Sequence, residues 1–120
     1  MTFNVEVVLK GRDFAVTEPV SVAHGDPSSW NDAAVRDVLV GILRAIGRAE
    51  NPETSADRTI VLHGFSWIVE PADNASVIAI EIPMGAAVAG PFAIGQVALD
   101  AMIARVLRAE RQSLAPRTVH

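Results

Sequence analysis

The sequence predicts an α+β fold, a two-layer sandwich in which a four-stranded antiparallel sheet carries two helices on one face. Three observations predict it: an alternating apolar–polar opening folded back at a glycine turn, a second pair of apolar runs further along, and two long apolar stripes at helical spacing. In chain order these read ββαββα. At 120 residues the chain fits a single domain, 1–120, with an ordered core expected from about residue 2 to about residue 113.

Phe3, Val5, Val7 and Leu9 alternate with Asn4, Glu6, Val8 and Lys10, as in a strand buried on one face. Gly11-Arg12 follows as a two-residue turn with glycine first, a type II′ pattern that matches the twist of paired strands. That turn sets Leu9 opposite Phe14 and Val7 opposite Val16, so the apolar faces agree. Pro19 has no N–H to give a ladder. The second strand is therefore expected at a sheet edge, bulged near Glu18-Pro19 before Val20 and Val22.

Asp26-Pro27-Ser28-Ser29 reads as the start of the first helix, with Ser29 three residues ahead of Asp32 in an imperfect capping box. Its apolar stripe runs from Trp30 through Ala34, Val38, Ile42 and Ile46 to Ala49, with Arg36, Arg44 and Arg48 on the polar side. The helix is expected to end near Glu50-Asn51-Pro52, ahead of a polar loop from Asn51 to Arg58.

Ile60 to Val69 and Ser76 to Ile82 form the second hairpin. With Asp73-Asn74 as a two-residue turn, Trp67 opposes Ile80 and Phe65 opposes Ile82. His63, Phe65, Trp67 and Val69 then share the core face with Ile78 and Ile80. Ile60, Leu62, Ile68, Val77 and Ala79 take the reverse face, where Ser66 stands opposite Glu81. A slip of one residue exchanges the two faces and puts His63 and Glu81 together, because strand side chains alternate with period two. In either register both faces are apolar, the pattern of strands covered twice. Two helices cover one face, and a second copy of the chain is the economical cover for the other. A homo-oligomer, a dimer by preference, is therefore expected, with Ile60, Leu62, Ile68, Val77 and Ala79 at its interface.

Met84 to Pro91 reads as a small-residue loop entering the last helix at Gly90-Pro91, with proline in the first helical position. The stripe of that helix is Phe92, Gly95, Leu99, Met102, Val106 and Ala109. It is expected to stop before Pro116 and leave a frayed tail to His120.

Composition limits the function classes. Half the residues are hydrophobic and the mean hydropathy is +0.30, more apolar surface than one small interior absorbs. A net charge of −4 argues against nucleic-acid binding by phosphate neutralisation. No cysteine is present, which excludes disulfides, thiolate metal sites and cysteine nucleophiles. With an opening Met1-Thr2-Phe3-Asn4-Val5-Glu6 that lacks the basic and apolar stretches of a secretory signal, the expected location is cytoplasmic. The 18 uncharged residues from Ile82 to Leu99 match a bilayer span in length, but Pro83, Gly85, Gly90, Pro91 and Gly95 interrupt them; no membrane span is expected.

Few residues suggest chemistry. Gly85 and Gly90 bracket the loop that leads to a helix amino end, where free N–H groups can meet an anion. A P-loop would need Lys-Ser/Thr where Pro91-Phe92 stands. His63 is a candidate base or ligand on an apolar strand, and Glu81 is a carboxylate in an apolar run that needs a partner, water or a proton. His24 reads as a solvated loop residue. Arg44 and Arg48, like Arg105, Arg108 and Arg111, read as solvated helix faces, the last three favoured by the helix dipole. No histidine or carboxylate spacing supports a metal site, no serine sits in a nucleophile elbow, and no cofactor is implied. The expectation is a non-enzymatic homo-oligomeric module with an adaptor, regulatory or structural role. The alternative is a small-molecule-binding protein or enzyme, its pocket between sheet and helices near His63, Trp67, Glu81 and the Gly85–Gly90 loop.

Overall fold

The computed structural model describes residues 1–53 and 60–114. The opening alternation gives β1 (Thr2–Leu9) and β2 (Ala15–Ser21), paired antiparallel with Val7 opposite Val16. The register runs without a shift from Thr2–Ser21 to Val8–Ala15, so the bulge expected at Glu18-Pro19 is absent. Two interactions explain how the strand stays regular. Met1 and Val22 exchange both backbone hydrogen bonds, so by alternation Asn4 and Pro19 form a non-bonded pair and the proline nitrogen turns outward. Glu18, on the helix side, meets Arg48 at 3.9 Å while Arg48 also donates to the Pro19 carbonyl.

The first helix, α1 (Asp32–Glu50), begins later than its capping box suggests. Asp26 accepts from the Ser28 N–H and closes a 3₁₀ turn, Pro27–Ser29; Asn31 then caps α1 by accepting from the Ala34 N–H. The stripe from Trp30 to Ala49 is buried as its spacing requires.

The second hairpin has the two-residue turn. β3 (Ser66–Ala72) and β4 (Ala75–Ile82) pair with Trp67 opposite Ile80 and Ser66 opposite Glu81, and Asp73 takes a positive φ of 48° in the turn. β3 starts at Ser66, so Ile60, Leu62 and His63 precede the strand and do not follow its alternation. Leu62 is 1% exposed, a core residue and not an interface one; Ile60 is half-buried against the same core.

The largest departure from expectation is the passage read as a loop. Gly85–Phe92 is a strand, β5, reached through a Pro83-Met84 turn, and it lies at the centre of a five-stranded antiparallel sheet of order β2-β1-β5-β4-β3. The element order is thus ββαβββα. A central proline is tolerated because the β4–β5 register shifts there: Ile78 faces Ala89 but Ser76 faces Phe92, so Gly90 and Pro91 together stand against Val77 alone, one extra residue on β5. β3, expected to be covered on both sides as a central strand, is instead an edge. The second helix, α2 (Gln96–Leu114), starts after the strand and not at Gly90-Pro91. Gln96 donates to the Val69 carbonyl and fixes its first turn on β3. Phe92 and Gly95 lie outside α2, and Ala109 is exposed; its buried stripe is Leu99, Met102, Ile103 and Val106.

α1 packs on β1, β2 and β5, α2 on β3 and β4, and the helices touch each other on one face of the sheet. Arg105 holds Asp32 through Nε and Nη2, at 3.0 and 2.9 Å, and Arg36 donates to Glu110. Both pairings advance in the same sense, so the helices run parallel, as they must when each returns from one of two strands, β2 and β5, that themselves run parallel. No helix among the described residues is long and apolar enough to cross a membrane; the uncharged Ile82–Leu99 run is β5 with its flanks. Residues 54 to 58 of the expected Asn51–Arg58 loop, and the expected tail from 115 to 120, lie outside the described residues.

The hydrogen bond from Arg105 holds the Asp32 carboxyl below its usual range, and Asp32 raises the guanidinium in turn. A lowered folded-state value means that the stabilisation is complete above the ordinary carboxylate value of about 3.9 and is lost as pH falls through the depressed one. The pair is exposed, so the effect is small. Asp32→Asn is expected to lower the Tm slightly at pH 7, and the gap from the parent should close at pH 2; a gap that persists there in thermal melts would show that the ion pair is not its source.

Candidate functional site

Two surfaces of the sheet carry the residues singled out by the sequence, and they lie on opposite sides. The first is the face that no helix covers. Even-numbered residues of β1 and β5 and their register partners point to it: Glu6, Val88, Ala79 and Ile68 form one row across the sheet, and Val8, Ala86, Glu81 and Ser66 the next. Val8, Val88 and Ile68 are 47%, 45% and 53% exposed. With Val77, Ala79 and Ala86 they make a continuous apolar patch. Glu6, Glu70 and Glu81 flank it, and Thr17 donates to Glu6 at 2.7 Å. Of the expected interface, Ile68, Val77 and Ala79 lie here, whereas Leu62 and Ile60 do not. Val8, Ala86 and Val88 were not expected here. The signal for Val8 was present, since it occupies the polar parity of Asn4 and Glu6 in β1.

The second surface is a groove of about 240 Å³ where the β3 side of the sheet meets α2. Leu62, Phe65, Trp67 and Leu107 supply apolar walls, Arg108 and Arg111 supply charge, and His63 supplies an imidazole. Gly64, at φ +80°, turns the chain between His63 and Phe65. His63 is exposed at this rim and not under the helices as expected, and Trp67 is half-buried. From spacing alone the arginines form only a solvated face; their place in the groove depends on which strand α2 lies against.

His63, Trp67, Glu81, Gly85 and Gly90 therefore do not converge. His63 and Trp67 share the groove, and Glu81 is on the far face beside Ser66. Gly85 and Gly90 are strand positions with backbone reasons for lacking a side chain: a Cβ on Gly85 would lie 2.3 Å from the Val8 carbonyl oxygen, and one on Gly90 3.1 Å from that of Ser76, at a φ of +116°. The anion-binding loop envisaged between them is replaced by sheet.

A third hollow, about 510 Å³ and shallow, lies between β2 and α1 beside Asp37, Arg44 and Arg48. His24 Nε2 lies 2.9 Å from Asp37 Oδ2 near it. Two of its charged groups are already engaged, Asp37 by His24 and Arg48 by Glu18 and the Pro19 carbonyl. Among the described residues no three histidines or carboxylates gather as a metal site.

No family model, curated protein or solved structure matches the chain.

Proposed function

We propose that this chain is a non-enzymatic, self-associating module, with an adaptor, regulatory or structural role, that pairs with a second copy through the helix-free face of its sheet. The observation that carries the reading is the patch of Val8, Val88 and Ile68, each about half exposed in a row-and-diagonal arrangement with Val77, Ala79 and Ala86. Isolated surface apolar residues are ordinary, but a contiguous patch rimmed by charge is the mark of a contact surface.

Size supports a second copy. Five strands of seven or eight residues present a face of roughly 24 by 25 Å, or about 600 Å². Two such faces together clear the roughly 1,000 Å² that a specific interface needs. The sheet edges are poorer candidates, because Pro19 and Pro71 sit in the two edge strands and interrupt the row of donors an added strand would use. Face-to-face pairing sets two sheets about 10 Å apart with the helices outermost.

Light scattering on the full chain at tens of micromolar is expected to give twice the monomer mass. Ile68→Glu with Val88→Glu should return the monomer with an unchanged far-ultraviolet spectrum. Burying each apolar side chain contributes about 1.5–3 kcal/mol, so each substitution should weaken pairing by at least tenfold. Because the face carries Glu6, Glu70 and Glu81, pairing of like faces should tighten as salt screens them. Association that weakens with salt would point instead to a basic partner, and a parent chain that stays monomeric at that concentration removes the proposal.

A further inference from the structure

The groove beside α2 has the opposite electrostatic character to the chain as a whole. Ala104, Leu107, Arg108 and Arg111 follow one another at helical spacing and form a stripe next to the buried one of Leu99, Met102, Ile103 and Val106. Leu107 joins Leu62, Phe65 and Trp67 in an apolar lining, and Ala104 leaves room between the walls. Of the ionisable residues in this lining, all are basic: His63, Arg108 and Arg111. Glu110, the acid of the same helical turn, is turned away to Arg36 on α1. Among the described residues neither Arg108 nor Arg111 has an ion-pair partner. On a chain of net charge −4 this is a local concentration of positive charge over an aromatic floor.

We infer that this groove binds a small organic carboxylate, its anionic group held by Arg108 and Arg111 and its body, one aromatic ring or a short alkyl chain, lying against Phe65 and Trp67. Two guanidinium groups one helical turn apart repel each other, and a carboxylate between them removes the repulsion while meeting their paired donors. The apolar walls favour a ligand that buries hydrocarbon as well as charge. A groove of about 240 Å³ has room for a single ring with its carboxylate. The inference does not depend on self-association, because the groove lies on the helix side of the sheet.

Trp67 is itself the reporter, since the other tryptophan, Trp30, is buried in the core. Titrating the full chain with benzoate, and separately with hexanoate, should change tryptophan fluorescence saturably, with a dissociation constant near or below about 1 mM. Benzamide, which keeps the ring without the charge, and inorganic phosphate, which keeps charge without the ring, should each bind at least tenfold more weakly. Arg108→Gln with Arg111→Gln should weaken benzoate by tenfold or more and leave the far-ultraviolet spectrum unchanged; Trp67→Phe should remove most of the signal. Equal binding of benzamide overturns the role of the arginines, and equal binding of phosphate overturns that of the apolar walls. Absence of saturation up to about 10 mM, or unchanged affinity in the double arginine variant, overturns the site.

Discussion

Gly85→Ala is expected to destabilise the chain by at least about 3 kcal/mol, a cost at the severe end for a one-carbon change. The added Cβ would stand 2.3 Å from the Val8 carbonyl oxygen and 3.0 Å from the Leu9 Cα, and both neighbours are backbone. A flexible side chain could swing aside, but β1 can retreat only by giving up its pairing with β5 at Leu9–Gly85. That pairing joins the β1–β2 pair to the β3–β4–β5 meander, so the damage falls at the seam of the sheet. Urea denaturation should show a lower midpoint at an unchanged slope, the signature of lost stability without a change in the surface exposed. Gly47→Ala, where an added Cβ meets nothing within 4 Å inside a helix, is the control and should be neutral or stabilising. A Gly85 variant as stable as the control would mean that β1 and β5 do not lie as close as described.

The same glycine explains what could not be read in the sequence. β5 is Gly-Ala-Ala-Val-Ala-Gly-Pro-Phe, a string that lacks the branched and aromatic residues by which strands are recognised and contains two strong loop signals. Its smallness has a tertiary cause. Ala87 and Ala89 are buried under α1, while the larger Val5, Val7, Ile78 and Ile80 on the neighbouring strands fill the space to either side. Propensity is a local quantity and cannot register that division of volume between strands. Where local chemistry and burial agree, the sequence was legible: the Asp73-Asn74 turn, the register of both hairpins, and the stripe of α1 all follow from alternation and spacing. The first hairpin turns one residue earlier than Gly11-Arg12, at Lys10-Gly11, where the Arg12 N–H donates to the Leu9 carbonyl, and Phe14 is left exposed and not opposite Leu9.

The candidate site was legible in proportion. Alternation alone places Ile68, Val77 and Ala79 on one surface, because the β3–β4 register depends only on a two-residue turn. Leu62 departs from its expected face because the strand alternation does not reach back past Gly64, whose positive φ ends it. Val8, Ala86 and Val88 complete the patch only through the pairing of β1 with β5, a contact between residues nearly 80 positions apart. Arg108 and Arg111 acquire Trp67 as a neighbour in the same way, from the choice of strand on which α2 lies. Both proposed surfaces thus arise from β5: it widens the open face and sets the strand order that brings α2 against β3.

Phe92→Ala is expected to have an effect of similar size by a different route, about 3–5 kcal/mol. Against the roughly 6–18 kcal/mol that a chain of this length has in total, a loss at the upper end would leave a marginal fold. Phe92 ends β5, is 0% exposed, and packs its ring edge-on to Phe3 at 5.0 Å and tilted to Trp30 at 5.1 Å. Trp30 leads into α1 and donates from its indole nitrogen to the Gly25 carbonyl, so the ring joins the first strand, the last strand and the entrance to the first helix. The Phe92 backbone carbonyl accepts from the Ile94 N–H, and the Ile94 carbonyl accepts from the buried Ser76 hydroxyl, which anchors the turn into α2 on β4. Removing the ring leaves a cavity between elements tied down on every side, the condition under which cavities collapse least. Phe14 gives the comparison, since it is 60% exposed at the end of the first hairpin; Phe14→Ala should change stability by no more than about 0.5 kcal/mol. Thermal and urea unfolding of the two variants should therefore separate widely, with the Trp30 emission of Phe92→Ala shifted to the red before unfolding begins. Equal stabilities would mean that the aromatic cluster is not the joint between the sheet and α1.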